Sequence, residues 1–242
     1  MIARSESEKA REYLESHSKG SYITKKVGPC ITVSRQSGAG SGIIDEMVKN
    51  ILQQNQTDEF GDWAIFDKNL MEKILEDHQL PERLGKLFQE ERKSGIGSMM
   101  SELLGLQPSK FTLLHKTTKT ILQLAQMGNV IIVGRAGAVI AANLPNSFRV
   151  RLVAPIEDRI KRMMDYYSTG RKEAMERIKK EDCSRKEYLK ENFHKDIEDP
   201  LLYHMILNTH ILTYKDAAQI IANAVILKFP KMFLKKVDIP VI

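Results

Sequence analysis

Cysteine is scarce in this sequence, with only two among 242 residues. Cys30 opens an apolar stretch and Cys183 lies in a charged one, so no disulfide is expected, and neither has the spacing of a metal site. This predicts a cytoplasmic protein without a metal held by its side chains. No apolar run approaches the roughly 20 residues of a membrane-spanning helix, and the first residues are too polar for a secretion signal. We therefore expect no membrane partner.

A strong excess of one charge is also missing. The formal net charge is +6, with 28% charged and 42% hydrophobic residues, which is ordinary for a folded protein. Because no predicted helix combines a clustered basic face with interleaved aromatic residues, nucleic-acid binding is not expected. The weak basic excess suits a small anionic ligand. Homo-oligomer formation is left open.

Short apolar segments alternate with amphipathic helical segments along most of the chain. Strands are predicted at 31–34, 63–66, 130–133, 150–154 and 205–208. Helices are predicted at 4–17, 43–53, 67–77, 82–93, 109–127, 156–166, 171–190 and 216–227. This alternation indicates an α/β protein with a parallel sheet and right-handed crossovers.

The predicted elements suggest one main domain at 29–228. A helical extension at 1–28 precedes it and a tail at 229–242 follows it. Two helical insertions, at 67–127 and 156–200, follow strands, which is where α/β proteins bind ligands. We expect them to supply a substrate-binding segment and a lid.

A glycine-rich turn stands between the first predicted strand and its helix. Its residues are Ser37, Gly38, Ala39, Gly40, Ser41 and Gly42. Glycines let backbone N–H groups approach a ligand, and a helix N-terminus attracts anions, so the turn predicts a phosphate site. The alternative is a tight turn without a ligand. Where a P-loop has lysine the chain has Ser41, and Ile43 replaces the hydroxyl expected near Mg²⁺.

Arginines in short motifs could supply the missing positive charge. Arg35 lies at the start of the turn, and Arg135 follows a buried strand, where phosphate binding or a structural ion pair would both be reasonable. Arg159 and Arg162 are one helical turn apart, as on an ordinary solvated face. Asp182 and Arg185 have the spacing of an internal salt bridge.

These motifs, in this order, resemble the cytidylate kinase-like family, a relative of the cytidylate kinases among nucleoside monophosphate kinases. The resemblance covers about residues 31–227. It rests on Ile31-Thr-Val-Ser-Arg-Gln-Ser-Gly-Ala-Gly, Val133-Gly-Arg, Glu157-Asp-Arg-Ile-Lys-Arg, Asp182-Cys-Ser-Arg and Tyr203-His-Met-Ile-Leu-Asn-Thr.

The resemblance implies a three-layer P-loop NTPase fold with a five-stranded parallel sheet, a helical acceptor-binding segment and a helical lid. It also implies a phosphotransferase that uses ATP and Mg²⁺ to phosphorylate a nucleoside monophosphate, CMP-like, or a related small phosphate acceptor. Residues 37–42 would bind donor phosphates. Catalytic roles would fall to Arg35, Arg159, Arg162 and Arg185, and the acceptor would contact Arg135, Asp182 and Arg185.

The sequence departs from the family pattern at the turn itself. Ser41 replaces the lysine of true cytidylate kinases, and Gly42 replaces the arginine of the cytidylate kinase-like pattern. Losing one such charge can cost ~3–5 decades in rate. The alternative function is therefore a catalytically weakened nucleotide-binding or regulatory module on the same fold.

Overall fold

The structure, a computed structural model, describes residues 27–57, 60–67 and 110–233. Five strands are found in this part of the chain: β1 at Cys30–Arg35, β2 at Ala64–Phe66, β3 at Val130–Val133, β4 at Ser147–Val153 and β5 at Met205–Asn208. All neighbouring strands pair in parallel, in the order β2-β3-β1-β4-β5. The central strand is therefore β1, which leads into the glycine-rich turn.

The described part of the chain contains six α-helices. They are α1 at Ser41–Asn55, α2 at Lys110–Met127, α3 at Gly137–Ile140, α4 at Ile156–Tyr167, α5 at Arg171–Phe193 and α6 at Tyr214–Lys228. Short 3₁₀ helices lie at Pro200–Leu202 and Pro230–Met232. Among the described helices, none is long and apolar enough to cross a membrane.

Alternate residues of the strands pack on opposite faces of the sheet. In β3, Ile131 and Val133 belong to the hydrophobic cluster that includes α1 and α6, whereas Val130 and Ile132 belong to the cluster that includes α2. Strand β3 is therefore a continuous apolar run, because both of its faces are covered, whereas the edge strand β5 alternates between half-buried and exposed residues. The result is the three-layer α/β arrangement with a five-stranded parallel sheet that the sequence predicts.

Most predicted boundaries differ from the observed ones by one to three residues, and two differences have a clear physical reason. Strand β4 begins at Ser147 rather than at 150, and it includes Arg149, whose guanidinium donates to the Ala142 carbonyl oxygen at 3.1 Å. A search for purely apolar segments misses such a strand end. Helix α3 was not predicted because four residues leave no periodic pattern.

Several predicted segments lie outside the described residues. They are the helices at 4–17 and 82–93, all but the first residue of the helix at 67–77, and the tail beyond 233. The division of the chain into an extension, a main domain and a tail therefore stays a prediction. The described residues do include both helices of the insertion at 156–200, namely α4 and α5.

Helix α1 buries a carboxylate on the face that packs against the sheet. Asp45 is 2% exposed, and neither of its carboxyl oxygens has a hydrogen-bond partner among the described residues. Burial raises the pKa of Asp45 to about 8, although the positive charge of Arg35 acts in the opposite direction. Asp45 is therefore mostly protonated in the folded protein at neutral pH.

The variant Asp45→Asn is expected to reduce the pH dependence of stability. The folded chain keeps the Asp45 proton up to about pH 8, whereas an unperturbed carboxyl loses it near 3.8. Because the folded state binds more protons between these values, its free energy of unfolding falls as pH rises, by at most about 1.4 kcal/mol per unit. Denaturant unfolding at about pH 5 and about pH 8 measures this loss. An equal loss in wild type and variant would contradict a protonated Asp45.

Candidate functional site

The glycine-rich turn lies at the carboxyl end of β1, at the centre of the sheet. Gly38 and Gly40 have φ angles of 79° and 88°, which side-chain-bearing residues rarely adopt. The Ala39 N–H donates to the Gln36 carbonyl oxygen at 3.1 Å and closes the turn. Gly40 is also the N-cap of α1 and provides no side-chain cap. The first N–H groups of α1 are thus left for a ligand, as at anion sites.

Neighbouring elements pack directly against the two positive-φ glycines. A Cβ on Gly38 would lie 2.6 Å from the Arg159 carbonyl oxygen in α4. A Cβ on Gly40 would lie 2.5 Å from the Tyr214 ring at the start of α6. The turn is therefore held between α4 and α6, and both positions require glycine for space as well as for conformation.

Arg162 contacts the glycine-rich turn through hydrogen bonds to the carbonyl groups of the turn. Its guanidinium donates to the Gly38 carbonyl oxygen at 3.3 Å and to the Thr209 hydroxyl and carbonyl oxygens at 2.9 and 2.7 Å. The Thr209 hydroxyl in turn donates to the Ala39 carbonyl oxygen at 3.0 Å. The Arg162 guanidinium also lies over the Tyr214 ring, 5.1 Å from its centre. In this conformation Arg162 supports the shape of the turn.

Ser37 is bound by an acidic and basic cluster on α4 and α5. Its N–H donates to Asp182 Oδ1 at 2.9 Å, and its hydroxyl donates to Glu181 and accepts from Arg185. Arg159, which is 8% exposed, donates to Asp182 Oδ2 at 2.6 Å, and Arg185 donates to Asp182 Oδ1 at 2.6 Å. The predicted Asp182–Arg185 pair is thus real and reaches the glycine turn.

A cavity of about 840 Å³ opens beside the turn, above the carboxyl ends of β1 and β3. Its charged lining consists of five basic and four acidic residues: Arg35, Arg135, Arg177, Lys180 and Arg185, and Asp67, Glu173, Glu176 and Glu181. Helices α3 and α5 contribute further walls. The volume suits a small molecule, and Arg35 and Arg135, at the carboxyl ends of β1 and β3, offer donors to an anionic group of that molecule.

Arg35 lines this cavity, and its guanidinium occupies the space next to Gly134 that a side chain there would fill. Gly134 has a φ of 82°, and a Cβ there would overlap the Arg35 guanidinium. Burial lowers the pKa of Arg35, and the positive charge of Arg185 lowers it further. The acidic groups of Asp45, Glu181 and Asp67 act in the opposite direction and offset part of this repulsion.

Arg135 reaches the same cavity from the end of β3. The φ angles of Arg135 and Ala136, 49° and 57°, place both residues in the left-handed region. Burial raises the pKa of the cavity residue Tyr188, and the positive charge of Arg135 acts against this rise. Arg135 therefore lies at the predicted carboxyl edge of the sheet, within electrostatic range of α5.

The described residues do not form a site that would hold Mg²⁺ by itself. No group of three histidine, cysteine or acidic side chains is close enough among them. Ile43 is 52% exposed and has no oxygen to offer. The Ser34 hydroxyl already accepts from Arg151 at 2.9 Å. A magnesium ion at the turn would therefore depend on water and on oxygens of a bound ligand for most of its ligands.

The predicted site residues all lie around the carboxyl end of β1, in two groups. Arg35, Arg135 and Arg185 line the cavity, and Arg159, Arg162 and Asp182 contact the turn itself. Arg185 belongs to both groups, because it also donates to the Ser37 hydroxyl. Sequence analysis missed Glu181, Thr209 and Tyr214 as site residues. Thr209 ends the quoted Tyr203–Thr209 motif, which was a usable signal, whereas nothing in the sequence singled out Tyr214.

Comparison with known proteins confirms the resemblance. The sequence profile of the cytidylate kinase-like family matches residues 30–211. No curated protein is similar enough to the chain to count as a match. A crystal structure of an uncharacterized protein from Eubacterium ventriosum ATCC 27560 is 16% identical, with a TM-score of 0.58, over 81% of this chain and 98% of that one. This likeness shows a shared fold.

Two solved kinases are more distantly similar. Shikimate kinase from Bacteroides thetaiotaomicron has a TM-score of 0.44 and 12% identity, over 84% of this chain and 98% of that chain. Dephospho-CoA kinase from Campylobacter jejuni has a TM-score of 0.36 and 10% identity, over 83% and 97%. The strand order β2-β3-β1-β4-β5 with a glycine turn after β1 is, together with the profile match, the predicted P-loop fold.

Proposed function

Because the chain belongs to the cytidylate kinase-like family, we propose that it is a kinase that transfers the γ-phosphoryl group of ATP to a small phosphate-bearing acceptor. A nucleoside monophosphate such as CMP is the first acceptor to test. The observation that carries the proposal is the position of the arginine-lined cavity beside the glycine turn at the end of β1. Donor and acceptor phosphates would meet there.

The donor would bind along residues 37–42. Their backbone N–H groups and the uncapped N-terminus of α1 favour the β- and γ-phosphates, because both present positive partial charge. Arg162 and Thr209 would keep the turn in its binding shape through the Gly38 and Ala39 carbonyl groups. Arg159 would approach the donor from α4.

The acceptor would occupy the cavity. Arg135 and Arg185 would bind its phosphate, and Arg35 would lie between that phosphate and the donor. Asp182 would contact the acceptor's ribose once it leaves Ser37. Guanidinium groups suit this task because each offers two parallel donors to phosphate oxygens.

The reaction would be an in-line displacement. An anionic oxygen of the acceptor phosphate forms the new bond to the γ-phosphorus, and the bond from that phosphorus to the β,γ-bridging oxygen breaks, so the electron pair leaves on ADP. No side chain has to remove a proton, because the attacking oxygen is already ionised at neutral pH. The arginines would neutralise the charge that builds up, and Mg²⁺ carried by ATP would add to this.

A second candidate function has a specific observation in its favour. The turn lacks the lysine of the P-loop at Ser41, and its Ser37 N–H is already bound by Asp182. Loss of the lysine weakens catalysis more than binding, because its charge acts mainly in the transition state, whereas the Asp182 contact competes with binding itself. The alternative is therefore a nucleotide-binding or regulatory module that keeps the fold and has weak catalysis.

A coupled assay of ADP release separates the two functions. The purified chain is incubated with ATP, Mg²⁺ and a panel of nucleoside monophosphates, and thermal unfolding is measured with and without ATP. A kinase gives turnover above the background of a matched Arg185→Met preparation with at least one acceptor. A rise in Tm with ATP but no turnover favours the binding module. If ATP gives neither turnover with any acceptor nor a rise in Tm, both functions are contradicted.

A further inference from the structure

The contacts of Asp182 are those that a bound phosphate would make. One carboxylate oxygen accepts from the Ser37 N–H of the glycine turn at 2.9 Å and from Arg185 at 2.6 Å. The other accepts from Arg159 at 2.6 Å. A backbone N–H of a glycine turn and two guanidinium groups are the usual donors to a phosphate. The turn is thus bound by an anion that belongs to the chain itself.

Glu181 completes this internal contact. Its carboxylate accepts a hydrogen bond from the Ser37 hydroxyl and lies 3.6 Å from an Arg185 nitrogen. Two neighbouring carboxylates on α5 therefore occupy both polar groups of Ser37. Two negative charges on adjacent residues match the charge that a terminal phosphate group carries.

The donors around Ser37 are not all used. The Nε atoms of Arg159 and Arg185 are buried without a hydrogen-bond partner among the described residues. An orphaned buried N–H is costly, so these two groups favour a ligand with more acceptor oxygens than a carboxylate has. A phosphate presents three such oxygens.

We propose that Asp182 and Glu181 are an internal competitor of phosphate at Ser37, so that the donor's phosphate binds by displacing them from the glycine turn. This inference rests on the proposed function, because it takes the turn to be a phosphate site. Phosphate then replaces the two carboxylates at Ser37, and Arg159 and Arg185 pair with phosphate instead of with Asp182. Donor binding and release of this part of α5 are then one coupled step.

The packing of α5 is compatible with such a movement. The apolar cluster that joins α4 to α5 contains Ile160, Met163, Ala174 and Ile178. It ends at Ile178, about one helical turn before Glu181. The contacts of Glu181 and Asp182 with Ser37 are polar, so phosphate can replace them without opening that cluster. Free Asp182 would then be available to the acceptor.

Calorimetric titration with inorganic phosphate and with ATP tests the competition. The variant Asp182→Asn is expected to bind both about 10-fold more tightly than wild type, because the strongest internal competitor is gone. Glu181→Gln is expected to give a smaller gain of a few-fold. Glu191→Gln, an exposed residue of the same helix, is the matched control for loss of one negative charge and should leave both affinities unchanged.

Hydrogen exchange supplies a second measurement on the unmodified chain. Phosphate should increase exchange in the segment 178–190, because displacement frees its contacts with the turn. A decrease in exchange, or unchanged affinity in Asp182→Asn and Glu181→Gln, would overturn the proposal while the turn still binds phosphate. If Asp182→Asn does not fold, Glu181→Gln and the exchange experiment decide. Absence of phosphate and ATP binding in every variant would instead contradict the proposed function.

Discussion

The variant Ser41→Lys is expected to raise kcat for phosphoryl transfer by about 100-fold or more. Ser41 is the first residue of α1 and follows the glycine turn directly, at the position where a P-loop carries its lysine. A lysine there reaches the β- and γ-phosphates and neutralises the charge that grows on them during transfer. Steady-state kinetics with ATP and the best acceptor measures the change, and most of it should appear in kcat.

The variant Ser41→Met separates charge from side-chain length. It adds an unbranched side chain without a charge, so it should leave kcat near the wild-type value. A lysine near the positive end of α1 should also cost about 0.5 kcal/mol of stability, which thermal unfolding can check. Equal rates for wild type and Ser41→Lys would show that the missing lysine does not limit the reaction, and that the arginines already supply its charge.

The inner strands of the sheet could be predicted from the sequence because they are buried on both faces. Runs such as 130–133 contain only β-branched apolar residues, and the strand found at Val130–Val133 has the same boundaries. The position of the glycine turn could be predicted for the same reason, because a turn after a buried parallel strand lies where the carboxyl ends of the strands meet. Cys30–Arg35 and Ser41–Asn55 enclose it as expected.

The contacts at the turn could not be predicted in the same way. The spacing of Asp182 and Arg185 indicated a salt bridge within a helix, but nothing local shows that this pair also binds Ser37, which is 145 residues from Asp182. The burial of Asp45 was hidden for a similar reason. Its helix position faces the sheet, yet a carboxylate there reads as solvent-facing by residue type, and only the packing around it reveals the raised pKa.

The variant Arg35→Met is expected to lower kcat/KM by about 1000-fold. Arg35 lines the cavity beside the turn, and it is held near Arg185 although their positive charges repel. The nearby acidic groups Asp45, Glu181 and Asp67 oppose that repulsion, so the expectation rests on the proposed position of Arg35 between the two phosphates. Loss of one arginine in phosphoryl transfer typically costs about three decades or more. Methionine keeps most of the side-chain volume, so the fold should survive, and kinetics together with acceptor titration measure the effect.

The matched control is Arg171→Met, which makes the same change outside the cavity. Arg171 pairs with Glu157 on the surface at 2.8 Å, and its side chain is 60% exposed, so its loss should leave kcat/KM unchanged. A structural role of the buried Arg35 and a role in acceptor binding predict different results. If Arg35 had only a structural role, the variant would lower the Tm and leave acceptor affinity intact. A folded Arg35→Met chain that binds and turns over its acceptor like wild type would remove Arg35 from the site.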